Sequence, residues 1–349
     1  MRVLLTGAGG FIGSAVAAAC RRAGHDVVGV DAWIPQAHAP DVVESQSVRR
    51  CDVRDADELG DVLRGVDVVC HQAAMVGAGV APADLPLFAS HNDLGTATLL
   101  AAMAAVRVGR LVLASSMVVY GDGRYACPVH GESVARQRSL GDLTDGRFDV
   151  CCPECAEPMQ WRAVDESAAL RPRSGYAASK VAQEHFAGAW ARQAGGSVIA
   201  LRYHNVYGPH MPAGSPYSGV AALFRSAIEG GQPPRVFEDG GQMRDFVHVD
   251  DVAAANVLAL EAVATMPADT FTPYNISSAT PIAIADVARL VSAGIAGAPP
   301  EPVVTGEFRA GDVRHIVASP EAARRDLGFR ASIPPDEGLR RFAQEPLRG

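Results

Sequence analysis

The sequence predicts an α/β fold: a doubly wound parallel sheet with a smaller C-terminal lobe and a cysteine-bearing insertion. Three features point to it. Short β-branched runs alternate with helical patterns through the first half of the chain. A glycine-rich turn joins the first of these runs to the first helix. The alternation then weakens beyond Gly208-Pro209. The size suits such a fold, since 349 residues with 48% hydrophobic content can bury a sizeable core. Charged residues at 20% argue against disorder, and a net charge of −8 argues against a general nucleic-acid binder, which carries a basic stripe.

In order, Arg2–Thr6, Asp26–Val30, Val48–Cys51, Val66–Cys70 and Arg110–Ala114 read as strands. Phe11–Ala23, Ala56–Leu63 and Asn92–Val106 read as the helices between them. Ala177–Gln193 is another long helix and Ser197–Leu201 another strand. Helices are expected near Val220–Ile228, Val249–Ala264 and Ile284–Ala293 in the C-terminal lobe. Residues 1–121 and 165–208 form the expected sheet core, 122–164 the insertion, and 209–349 mainly the second lobe. The N-terminus runs directly into a strand without a signal-peptide pattern, and no apolar run reaches membrane-spanning length. The expectation is a cytoplasmic protein with no membrane partner.

Gly7, Gly10 and Gly13 take the spacing G-x-x-G-x-x-G and open the helix that begins Phe11-Ile12. Glycines there allow a tight turn and close approach of the backbone to a pyrophosphate, with helix N–H groups facing it. Asp31 ends the second strand, where a carboxylate binds adenosine ribose hydroxyls. No Arg or Lys follows within several residues to hold a 2′-phosphate, so NAD is favoured over NADP. Asp52 of Cys51-Asp52-Val53 either meets the adenine or caps its own loop.

Of 31 basic side chains, 30 are Arg and one is Lys, Lys180. It follows Tyr176 by four residues, on one face of a helix. A nearby ammonium is expected to lower the phenol's pKa, so that Tyr176 takes a proton from a sugar hydroxyl while hydride leaves the carbon. Lys180 can also hold the nicotinamide ribose. Ser115-Ser116 closes a strand at the carboxyl end of the sheet, where ligands bind in this architecture.

With these residues, His71-Gln72-Ala73-Ala74, Asn92-Asp93-Leu94-Gly95-Thr96, Ser115 to Gly121 and Leu201 to Pro209, the chain resembles the NAD-dependent sugar epimerase/dehydratase family. Its members are extended short-chain dehydrogenases/reductases with a Rossmann core. The resemblance implies Ser116 as the catalytic hydroxyl beside Tyr176 and Lys180. It implies a cofactor site that includes Gly7, Gly10, Phe11, Ile12, Gly13, Asp31, Asp52, Val53, Ala73, Ala74 and Asn92. The substrate is then a nucleotide-diphosphate sugar, with Asn205 at its phosphates and Arg244 and Arg309 clamping the pyrophosphate. A homodimer is implied, paired through the helices Asn92–Val106 and Ala177–Gln193. In the dehydratases of the family, Asp and Glu follow the catalytic hydroxyl. Here Met117 and Val118 do, and neither exchanges a proton, so a 4-epimerase with retained NAD is favoured. A UDP-hexose or UDP-uronate 4-epimerase and an oxidoreductase that releases NADH are the alternatives.

Ser116 and Tyr176 stand sixty residues apart, farther than in typical members. The extra stretch carries Cys127-Pro128-Val129-His130 and Cys152-Pro153-Glu154-Cys155. Two such knuckles match a structural Zn²⁺ site of three thiolates and one imidazole, with Cys151 as a spare ligand. Lying between Ser116 and Tyr176, the segment is placed to border the sugar pocket as a lid. The insert and the flanking motifs narrow the resemblance to dTDP-L-rhamnose 4-epimerases, which interconvert dTDP-L-rhamnose and dTDP-6-deoxy-L-talose.

Overall fold

The structure is a computed structural model that describes residues 1–34, 38, 47–77, 81–213 and 219–348. Seven strands form its central sheet: Arg2–Thr6, Asp26–Asp31, Val48–Arg50, Val68–His71, Arg110–Ser116, Ser197–Tyr203 and Thr270–Ile276. Numbered along the chain, they lie in the order 3-2-1-4-5-6-7, and every neighbouring pair is parallel. The order reverses between the first and fourth strands, which opens a crevice at their carboxyl ends. The strands read as unbroken apolar runs because both faces are covered. On one face Val3, Leu5, Cys70, Val112 and Ile199 pack against the helices Phe11–Arg22 and Val249–Val263. On the other, Leu4, Val69, Leu111, Leu113 and Val198 pack against Gly95–Ala105 and Gly175–Ala194.

Several elements differ at their ends from the sequence expectation. The helix expected over Asn92–Val106 is helical from Gly95 to Ala105 and is preceded by a wider, π-type turn over Ala89–Leu94. The strand expected over Arg110–Ala114 runs on to Ser116, because Ser115 and Ser116 pair with Arg202 and Tyr203 of the next strand. The segment after Gly208 contributes to both bodies. Its helices Val249–Val263 and Glu321–Leu327 and strand Thr270–Ile276 return to the large sheet, while the smaller lobe is built around Tyr207, Phe224, Phe246, Val291 and Phe342. Phe11, at the start of the glycine-loop helix, packs against this second core and ties the lobes together. Residues 122–164 form a three-stranded antiparallel sheet, with Arg124–Cys127 between Gly131–Ser133 and Gln160–Arg162. No described helix is long and apolar enough to cross a membrane.

Candidate active site

The glycine turn has the geometry of a phosphate cradle. Gly7 sits at φ +69°, and a Cβ there would lie 2.7 Å from the Ala73 nitrogen. A Cβ on Gly13 would lie 1.9 Å from the Gly7 carbonyl oxygen, so only glycine lets helix and strand approach this closely. Gly10 is different: its Cβ would meet little of the protein, and the missing side chain opens space at the helix start. Gly10 is also the N-cap and makes no side-chain capping bond, which leaves the first N–H groups of Phe11–Arg22 for an anion. These residues fit the pyrophosphate of a dinucleotide. Ile12 packs into the core beneath the turn. Ala73, beside Ala74, donates its N–H to Thr6 Oγ1 at 3.2 Å and so holds the fourth strand's exit beside the turn.

Asp31 is buried and accepts from the backbone N–H groups of Gly9 and Trp33 at 3.0 Å each. It also lies 2.9 Å from His38 Nε2. Burial works to raise its pKa, but these donors outweigh burial and hold the carboxyl below its ordinary value. Asp52 turns to its own loop. Arg54 grips its carboxylate with Nη2 at 2.6 Å and Nε at 3.0 Å and holds its pKa low, so the side chain anchors its own loop. Val53 is buried against Gly95. Asn92 is fully buried. It accepts from the Met75 N–H at 2.7 Å and donates to the Met75 carbonyl and to Ser179 Oγ at 2.9 and 2.8 Å. It therefore stitches the loop after the fourth strand to the Tyr–Lys helix.

Strand alternation separates the two serines. Ser115 turns inward to Glu184 at 2.5 Å, while Ser116 turns toward the Tyr176 phenol and works to lower its pKa. Lys180 is buried and donates to the Ala114 carbonyl at 3.0 Å, with its Nζ 6.0 Å from the Tyr176 ring centroid. Burial lowers the Lys180 pKa to about 8, against the pull of Glu184. The expectation of an acidified phenol does not hold in the free site. Burial pushes Tyr176 up to about 12, and only the Ser116 hydrogen bond works the other way, since the ammonium points at a backbone carbonyl instead of the phenol.

One cavity of about 1670 Å³ joins these groups to the second lobe. Met117, Val118, Tyr176, Asn205, Arg244 and Arg309 all line it. Its volume exceeds the roughly 300–1,000 Å³ of an ordinary small-ligand pocket and leaves room for an extended ligand. Asn205 donates to the Asp245 carbonyl at 2.9 Å. Arg244 is anchored by the carbonyls of Met243, Arg314 and Val313, and Arg309 lies over the Phe237 ring with its guanidinium 5.3 Å from the centroid.

Sequence reasoning missed several partners. Glu184, four residues after Lys180, forms a buried ion pair with Arg202 at 2.7 Å, and its i+4 spacing from the lysine was the available signal. Arg348 donates to the Gly9 carbonyl at 2.8 Å from 339 residues away, a distance no local pattern reveals. In the insertion, Cys127, His130, Cys152 and Cys155 bring their ligand atoms within 4.8 Å of one another. Cys151, read as a spare ligand, is exposed, and its thiol donates toward the Asp149 carbonyl instead.

A model of the NAD dependent epimerase/dehydratase family matches residues 3–142 and 153–277. The chain belongs to this family. The gap in the match falls within the insertion. A dTDP-L-rhamnose 4-epimerase of Burkholderia thailandensis is 31% identical across 97% of this chain and 93% of its own length. A UDP-glucose 4-epimerase of Mycolicibacterium smegmatis is 29% identical across 97% and 96%. Among solved structures, the UDP-glucose 4-epimerase of Thermus thermophilus in complex with NAD superposes with a TM-score of 0.76 at 29% identity, covering 98% of each chain. MoeE5 in complex with UDP-glucuronic acid and NAD gives 0.75 at 29%, covering 99% of each. The epimerase is thus an NAD-dependent enzyme of nucleotide sugars, with Tyr176 lining the cavity.

Proposed function

We propose that the enzyme epimerises C4 of a dTDP-6-deoxy-L-hexose, interconverting dTDP-L-rhamnose and dTDP-6-deoxy-L-talose. The observation that carries this reading is the pair Met117-Val118, which follows Ser116 and lines the cavity. Removing water across C5 and C6 needs groups that exchange protons at both carbons, and these two apolar side chains offer none. Epimerisation needs only one acid/base at the C4 oxygen and room for the sugar to turn. The Burkholderia relative, similar over nearly the whole chain, supports the same sugar.

When bound, NAD would accept and return a hydride and would bring a positive charge to the site. The protein's own part is proton handling and grip. The Tyr176 oxygen takes the C4 hydroxyl proton as the carbonyl forms and returns it when hydride comes back to the opposite face. Ser116 hydrogen-bonds the phenol and the C4 oxygen, and so keeps the two in register. Lys180 holds the nicotinamide ribose and keeps positive charge near the phenol. Arg244 and Arg309 bind the pyrophosphate as bidentate donors, and Asn205 meets a phosphate oxygen, so the nucleotide stays fixed while the sugar rotates.

A UDP-hexose or UDP-uronate substrate is the second reading, favoured by the similarity to UDP-glucose 4-epimerases. The deciding experiment incubates the purified enzyme, without added NAD, with dTDP-L-rhamnose and separately with UDP-glucose and UDP-glucuronate. The C4 epimer of dTDP-L-rhamnose is the expected product. Turnover of UDP sugars alone transfers the assignment to the second reading, and stoichiometric NADH release makes the enzyme an oxidoreductase. The dimer is also a proposal, supported by Leu94 and Phe186, which remain 55% and 44% exposed on the two helices expected to pair. So is a cytoplasmic location, which suits seven cysteines that are all free thiols.

A further inference from the structure

Among the described residues, the insertion carries a second chemistry-bearing cluster. Cys127 Sγ lies 3.7 Å from both His130 Nδ1 and Cys155 Sγ, and Cys152 Sγ lies 3.5 Å from His130 Nδ1. Tetrahedral zinc, with Zn–S of about 2.3 Å and Zn–N of about 2.0–2.1 Å, requires S···S edges of about 3.8 Å and S···N edges of about 3.5 Å. The three edges match these values. At this spacing, well beyond the roughly 2.05 Å of a disulfide, Cys127 and Cys155 are separate thiols. Three thiolates and an imidazole in this shape select zinc over the hard cations, which prefer oxygen ligands.

The surroundings of the cluster agree. The Val129 N–H donates to Cys127 Sγ at 3.3 Å, a turn that aims backbone donors at the sulfur. His130 presents Nδ1 to the thiols while its Nε2 faces the Glu154 carboxylate at 3.8 Å. The core of the insertion is small: Tyr125, Cys127, Ala135, Val150, Cys152 and Met159, two of them cluster thiols. So few apolar side chains do not fold a segment of this length alone, and a metal supplies the missing free energy.

The insertion also grips the far wall of the cavity. Arg138 is buried against Glu238 at 2.8 Å and donates to the Asp312 carbonyl at 2.9 Å. Asp149 pairs with Arg314 at 3.2 Å, and the Tyr125 hydroxyl accepts the His315 N–H at 3.0 Å. The gripped stretch, 312–315, supplies the Val313 and Arg314 carbonyls that fix the Arg244 guanidinium. Asp312 and Val313 line the cavity beside Arg309.

We propose that Cys127, His130, Cys152 and Cys155 bind one structural Zn²⁺, and that the folded knuckle is a brace that positions Arg244 and the 309–315 wall of the cavity. The second half rests on the reading of that wall as the nucleotide-diphosphate clamp; the first half does not. Arg138, Asp149 and Tyr125 are positioning residues, which act on the ligand through this wall.

The test uses the full-length holoenzyme. Elemental analysis should find about one zinc per chain, retained by Cys151→Ser and lost from Cys152→Ser and Cys155→Ser. Wild type without zinc, or cysteine variants with undiminished zinc, overturns the metal site. Because the cysteine variants can also misfold, Arg138→Met tests the brace separately. It should keep zinc and bound NAD, weaken calorimetric binding of dTDP and UDP by about tenfold, and raise KM with kcat little changed, the pattern of lost ground-state binding. Unchanged diphosphate affinity in Arg138→Met overturns the brace and leaves the zinc site standing. Wild type that binds neither dTDP nor UDP overturns the clamp reading, and the brace with it, while the zinc measurement remains decisive for the metal.

Discussion

Lys180 shows why a composition that uses arginine almost everywhere keeps one lysine. Its Nζ occupies a buried position and donates to one carbonyl acceptor, Ala114 O. A guanidinium would bring five donors into that space and leave most of them unpaired. Lys180→Arg should therefore fold yet lose turnover by about 100-fold or more, read by steady-state assay together with a count of bound NAD. Normal turnover in that variant would make the lone lysine an accident of composition. The pH dependence follows from the same side chain. With its pKa drawn down to about 8, Lys180 loses its charge above that pH, so activity should fall on the alkaline side from about pH 8. The stability effect has the opposite sense. Between about 8 and the ordinary lysine value, the unfolded chain holds a proton that the folded chain has released, so this lysine costs stability at neutral pH and the cost fades as pH rises. Lys180→Met should accordingly be inactive but no less heat-stable at pH 7, and its advantage over wild type should shrink toward pH 10.

At the scale of elements, the helix Gly175–Ala194 and the strand Ser197–Tyr203 are joined by a buried chain of polar groups. Ser115 donates to Glu184, Glu184 pairs with Arg202, and Arg202 donates to the Tyr120 hydroxyl, which donates in turn to Asn275. Breaking a buried pair by removing one partner leaves the other charge uncompensated, at a cost of about 3–5 kcal/mol. Glu184→Gln should lower the free energy of unfolding, read by denaturant titration, by an amount in that range. It should also move the alkaline limb of activity downward, because Glu184 is the group that raises the Lys180 pKa. The residues of this seam explain what could be read in advance. Strands and helices of the sheet were legible because their apolar periodicity is local, and Tyr176 and Lys180 were legible because one helix fixes their spacing. Glu184 meets Arg202 across 18 residues and Ser115 across 69, so their contact exists only after the sheet has formed. The phenol's raised pKa was hidden for the same reason, being set by burial, which composition does not specify. The strand Thr270–Ile276 escaped because Pro273 and the polar Thr and Asn residues break the apolar run expected of a sheet strand.

At the scale of the whole molecule, the helix packed on the sheet presents Tyr176 from one side of the cavity and the second lobe presents Arg244 and Arg309 from the other. Rotation of the sugar is compatible with a fixed nucleotide only if the two bodies hold their distance. Phe11 between the cores and Arg348 on the glycine turn serve that end from within one chain. A second copy would add to it by packing on the helix that carries Tyr176. Phe186 lies on that helix, and Leu94 lies where the π-type turn passes into the neighbouring helix. Both are large apolar side chains left in solvent. In a dimer paired through these helices, each would be buried, and a carboxylate at either position would be desolvated against a like charge across the two-fold axis. Phe186→Glu combined with Leu94→Glu should run as a monomer in light scattering where wild type runs as a dimer. It should also lose thermal stability in a way that depends on protein concentration for wild type and not for the variant. If both proteins have the same mass in solution, the paired-helix dimer is wrong, and these two side chains are ordinary exposed apolar residues of a surface that covers nothing.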